Sequence, residues 1–93
     1  MLVTITQFSR LARDDNGAAL PLGEGRIACD VRTSDGDFSA LDGSTRFVRI
    51  ATDTPVQLDI AGGETDSADE LFMPGVEYIA VRGGETLSIA EVA

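Results

Sequence analysis

Carboxylates are the only residues in this chain numerous enough to suggest chemistry. It carries sixteen Asp and Glu against seven Arg, with no Lys and no His, for a formal net charge of −9. Without histidine, the commonest general base and metal ligand is missing, and Ser-His or Cys-His nucleophile arrangements are excluded. A zinc site cannot be assembled from one cysteine and no histidine in the usual four-ligand form. Paired carboxylates can hydrolyse glycosides, but such enzymes need a cleft with aromatic walls. Four Phe, one Tyr and no Trp are a thin supply for one. No catalytic residue is assigned, and the chain is read as a non-enzyme.

Calcium is the better use of the acids. Glu64, Asp66, Asp69 and Glu70 fall in one polar stretch, and Asp35 with Asp37 in another. Hard cations take six to eight oxygens, and acidic loops on β-sandwiches can provide them. The spacing departs from the helix-loop-helix calcium pattern, and a solvated loop explains the same residues. No metal ligand or cofactor is therefore assigned. The Gly-rich pieces Gly23-Glu24-Gly25, Gly62-Gly63 and Gly83-Gly84 have no following helix, so they read as turns rather than phosphate cradles.

Two segments organise the chain. In Thr45–Thr52, Val48 and Ile50 alternate with Arg49; in Pro55–Ala61, Val56, Leu58 and Ile60 alternate with Gln57 and Asp59. Period-two alternation puts one strand face on a core and the other in water. Asp53-Thr54 between them reads as a tight turn. On this parity Arg46 lies at the rim, while Phe47, Arg49 and Tyr78 point outward. Aromatics beside an Arg are the makings of an interface hot spot. Internal packing, with the sheet face covered by the segment 7–25, is the competing reading.

Further strands are expected at Leu2–Thr6, Ile27–Arg32, Phe38–Leu41, Leu71–Met73, Val76–Arg82 and Thr86–Val92, separated by Gly, Pro and Asp turns. Residues 7–25 lose the alternation and read as a long loop or arm. Residues 62–70 read as an acidic loop. Cys29 shares parity with Ile27 and Val31 and is expected in the core as a small hydrophobe. The whole is one all-β domain over residues 1–93: a small antiparallel β-sandwich or jelly-roll-like barrel of seven to eight short strands.

The charge is uneven. Residues 1–13 carry Arg10 and Arg13 and no acid, leaving −11 on the remainder. A basic leading segment can dock on an acidic surface, including that of an identical neighbour, and Arg10 and Arg13 join Phe47, Arg49 and Tyr78 as interface candidates. The acidic balance argues against nucleic acid, whose phosphates it would repel. No apolar run is long enough to span a membrane, and no signal-peptide pattern opens the chain.

Thr45-Arg46-Phe47-Val48-Arg49-Ile50 with its hairpin, then Met73-Pro74-Gly75-Val76-Glu77-Tyr78-Ile79-Ala80-Val81 and Gly84-Glu85-Thr86-Leu87-Ser88-Ile89, resembles the small all-β virion proteins of tailed bacteriophages and prophage-like elements. The resemblance covers Thr45 to the end; residues 1–44 match in outline only. It transfers no catalytic residue. It implies a structural or accessory role in a phage or prophage particle, head decoration or connector-like, through contacts with itself as a homo-oligomer or with other virion proteins. It places the protein in the virion, or in the bacterial cytoplasm during assembly. The alternative from a different class is a ligand-binding β-sandwich module for carbohydrate or calcium.

Overall fold

In a computed structural model, residues 1–62 and 67–92 are described, those of 20–22 and 67–70 by backbone alone. The chain forms eight strands: β1 (Val3–Arg13), β2 (Ala19–Arg32), β3 (Gly36–Asp37), β4 (Phe47–Thr52), β5 (Val56–Ala61), β6 (Ser67–Phe72), β7 (Gly75–Ala80) and β8 (Thr86–Glu91). They make two four-stranded sheets, ordered β2-β1-β4-β7 and β3-β8-β5-β6, and every pairing is antiparallel. The fold is a small β-sandwich.

The alternation that predicts the central strands also sets the core. Val3 and Ile5 of β1 and Val48 and Ile50 of β4 pack against Val56, Leu58 and Ile60 of β5 and Leu87 and Ile89 of β8. Phe72 joins from β6, and Phe38, Leu41 and Val81 join from the connections. Burying each large aliphatic side chain is worth roughly 1.5–3 kcal/mol, so this double layer is the main source of stability.

Several expectations are corrected. β4 and β5 are not a hairpin: they lie in different sheets, and Asp53-Thr54 carries the chain across the sandwich as an arch. Thr52 Oγ1 donates to the Thr54 carbonyl at 2.7 Å and accepts from its amide at 3.3 Å, while Asp53 Oδ1 takes the Leu2 amide at 2.7 Å. The Gly83-Gly84 turn likewise links β7 in one sheet to β8 in the other. No strand forms over Phe38–Leu41. Both side chains are buried three residues apart, which a regular strand cannot do; the amides of Phe38 and Leu41 bond individually to the Leu87 and Glu85 carbonyls.

The segment 7–25 is not a loop. It continues β1 and β2 as a two-stranded ribbon, paired through Arg10↔Glu24, Leu11↔Gly23 and Arg13↔Ala19, with irregular register after Gln7 and after Leu11. Its tip turns at Asp14–Gly17, where Gly17 has φ +81° and Asp14 Oδ1 accepts the amides of Asn16 and Ala18. β1 pairs with β4 only as far as Phe8↔Phe47, so the outer ribbon stands beyond the sheet. That projection gives the molecule its long dimension of 45 Å, against 26 and 19 Å. The expected acidic loop 62–70 is shortened too, because β6 begins at Ser67.

At one end of the sandwich, two loops lock together. Gln7, 6% exposed, accepts the Asp42 amide at 2.9 Å and the Thr45 hydroxyl at 2.7 Å on its side-chain oxygen. Gly83 lies against the Gly43 backbone so closely that a Cβ would sit 2.4 Å from the Gly43 carbonyl oxygen. The buried Glu85 carboxylate takes the Arg82 amide, closing the same turn.

Candidate assembly face

Residues directly opposite on neighbouring strands point the same way, so the register defines the outward face of the β2-β1-β4-β7 sheet. Across its middle run Cys29, Thr6, Arg49 and Tyr78; one row over lie Val31, Thr4, Ala51 and Val76. The third row is Arg26, Phe8, Phe47 and Ala80. No other element of the described chain lies over the Val31–Val76 end. Val31 is 50% and Val76 60% exposed, with Leu2 beside them at 47%. Leu2, Thr4, Ala51 and Val76 line a shallow depression there with a volume of about 280 Å³.

β2 is inverted as an edge strand, and β7 is inverted in part. On β2, the apolar Cys29 and Val31 point outward, while Asp30 and Arg32 take the inward parity opposite Ile5 and Val3. On β7, Val76 and Tyr78 point outward and Glu77 inward opposite Ile50, while Ile79 packs inward on the core. Cys29 is therefore exposed rather than buried in the core, and its sulfur accepts the Thr6 hydroxyl at 3.5 Å. The reason is that β2 overhangs as a sheet edge, where the inward side can hold polar groups; Arg32 lies over the Phe38 ring at 4.9 Å.

The other end of the face is closed by aromatics. Phe8 and Phe47 stack with ring centroids 5.8 Å apart, and Tyr78 stands 6.0 Å from each. Phe8 also rests on Gly23, where a Cβ would meet its ring at 2.5 Å, so the ribbon folds its backbone against the cluster. Phe47 is consequently buried rather than an exposed anchor, and Tyr78 is half-buried. A second hollow of about 220 Å³ opens between Leu11 of the ribbon and Phe47, Tyr78 and Ala80.

Arg49 is half-buried at the centre of the face, and its Nε is shielded from water with no hydrogen-bond acceptor. Arg10 and Arg13 lie apart from it on the ribbon. Arg10 pairs with Glu24 at 3.2 Å, and Arg13 donates to the Gly17 carbonyl at 2.8 Å, holding the tip. Of the five interface candidates, Phe47, Arg49 and Tyr78 are thus brought together, while Arg10 and Arg13 stabilise the ribbon. Thr6, Phe8, Cys29, Val31 and Val76 are the members of the face that alternation alone missed.

Comparison with family models, curated proteins and solved structures gives no match in any of the three. Among the described residues, no three His, Cys, Asp or Glu side chains are grouped to hold a metal ion. The proposed calcium ligands Glu64 and Asp66, and the side chains of Asp69 and Glu70, lie outside the described residues. Asp37 instead accepts the Ser88 hydroxyl at 2.6 Å and Asp35 the Glu91 amide at 2.8 Å, tying β3 to β8. Among the described residues no helix is long and apolar enough to cross a membrane.

Proposed function

We propose that this chain is a non-enzymatic assembly protein, a structural or accessory component of a phage or prophage particle, acting through contacts with further copies of itself. One observation carries the reading: both edge strands of the β2-β1-β4-β7 sheet turn apolar side chains outward, Val31 on β2 and Val76 on β7, with Ala51 between them. A sheet that exposes apolar side chains leaves area that burial would stabilise at roughly 25 cal/mol per Å². The virion placement rests on the resemblance of Thr45 to the end.

Light scattering behind size exclusion tests it, over a wide concentration range. The wild-type chain is expected to exceed its monomer mass of 9.8 kDa as concentration rises, and Val76→Glu to shift that rise to higher concentration. A monomer at every concentration would overturn self-assembly.

A further inference from the structure

Resting on that reading, we infer that copies associate head-to-tail: the outward face of the β2-β1-β4-β7 sheet of one copy meets the outward face of the β3-β8-β5-β6 sheet of the next. The two faces differ in sign. In the four-stranded part of the first, the charged outward residues are Arg26 and Arg49; where the ribbon begins, Arg10 and Glu24 follow on the same side as an ion pair, so the face is net positive. Cross-strand register places Gln57, Asp59 and Ala61 of β5 with Ala90, Ser88 and Thr86 of β8 on the second face, together with Asp37 of β3 and Leu71 of β6. Among the described side chains, that face carries two Asp and no Arg. In a body of net charge −9, one face is therefore net positive and the other, among the described side chains, carries acids alone.

A symmetric pair of first faces is disfavoured by the same residues. Arg49 and its opposite Thr6 sit on the two inner strands, at the middle of the face. A two-fold axis through that middle brings Arg49 opposite its own copy or one strand away from it, so like charges come close in a water-poor contact. Head-to-tail stacking instead turns Arg49, whose shielded Nε has no acceptor, toward a surface bearing Asp37 and Asp59. Those two carboxylates act here as the sign of the surface; Asp37 keeps its bond from Ser88.

Size points the same way. Four strands spaced about 4.8 Å apart and six residues at about 3.4 Å each give a flat footprint of about 400 Å². A stable interface needs about 800 Å² per partner, so one such contact alone is weak. In a head-to-tail series every interior copy buries two footprints, and such contacts close into a ring or extend as a chain.

Two surface variants separate the possibilities. Val31→Glu with Val76→Glu poisons the first face; Gln57→Arg with Leu71→Arg poisons the second. All four positions are exposed, and thermal melts confirm that the variants fold. Light scattering is expected to find each variant monomeric at every concentration, and their equimolar mixture to reach a dimer mass only at high concentration, because each contributes one intact face and a single contact is weak. Self-dimers of the second variant alone would overturn head-to-tail packing while leaving self-assembly standing. A wild-type chain that never associates would overturn both. An independent check uses the unmodified chain: in a dilution series, amide NMR shifts are expected to move at Gln57 and Ser88 as well as at Thr4 and Ala51. Movement confined to the Thr4 and Ala51 face would refute the head-to-tail arrangement.

Discussion

Replacing Gln7 by leucine tests whether one buried amide holds the end of the sandwich. Its side-chain oxygen accepts two hydrogen bonds, from the Asp42 amide and from Thr45 Oγ1, and Thr45 is fully buried. Gln7→Leu keeps most of the volume and removes the acceptor, so two donors are orphaned. At roughly 1–3 kcal/mol for each buried unsatisfied group, the expected loss is about 2–6 kcal/mol. Thr45→Val alone removes one donor and leaves Gln7 bonded to Asp42, at a cost of about 1 kcal/mol. In the Gln7→Leu background the same substitution deletes an orphan hydroxyl, so it should restore roughly 1–2 kcal/mol. The sign of Thr45→Val therefore reverses between backgrounds, with a coupling of about 2–3 kcal/mol. Urea unfolding of the four proteins measures it, and a domain of this size shifts its Tm by roughly 4–8 °C per kcal/mol. Equal cost for Thr45→Val in both backgrounds would refute the reasoning.

Gly83→Ala places a methyl into the Gly43 backbone, which has no flexible side chain to yield, and should cost about 1–3 kcal/mol or more by the same unfolding assay. Asp42 has its carboxyl held below the usual aspartate value, first by the Ser44 backbone amide and then by the Ser44 hydroxyl. A depressed folded value means that this contribution is present above the ordinary aspartate pKa and is lost as pH falls through the folded one. The acid limb of the stability profile should accordingly lose a component in Asp42→Asn, and an unchanged limb would contradict it. Arg10→Ala should change stability by under about 1 kcal/mol, because the Glu24 pair is exposed. Cys29 should react with a thiol reagent in dilute protein and become protected as copies associate, since it lies on the first face.

Alternation made the interior of β4 and β5 legible: Val48, Ile50, Val56, Leu58 and Ile60 all face the core. It could not say that these strands belong to different sheets, because parity assigns a face and not a partner. The same limit explains Cys29 and Val31. Ile27-Ala28-Cys29-Asp30-Val31-Arg32 is amphipathic, and apolar-inward was the natural assignment, but the overhanging edge turns that side out. Phe38 and Leu41 are not legible as loop anchors, because a spacing of three suits a helical turn and so short a piece cannot show any period. The ribbon was hidden by its two register irregularities, which break the alternation while the backbone pairing continues. Phe47, Arg49 and Tyr78 were legible as one surface; that Phe8 and Gly23 would cover Phe47 depended on the ribbon's path.

The ribbon and the face are mechanically one unit. Phe8 is the last β1 residue paired to β4, its carbonyl accepts the Arg46 amide at 3.0 Å, and its ring lies between Phe47 and Gly23. The aromatic cluster therefore seals the point where sheet becomes ribbon, and fixes how the ribbon leaves the body. Edge-to-edge pairing is the obvious alternative use of such a sheet, but its edges are guarded. Asp30 and Arg32 on β2 and Glu77 on β7 hold inward parity, and a partner sheet continuing that core layer would have to bury them. Charge on the inward side and apolar surface on the outward side discourage growth along the sheet while favouring stacking upon it. With the ribbon clamped beside the face, the next copy would meet Leu11 as well as Val31 and Val76, which extends the contact past the small footprint of the sheet alone.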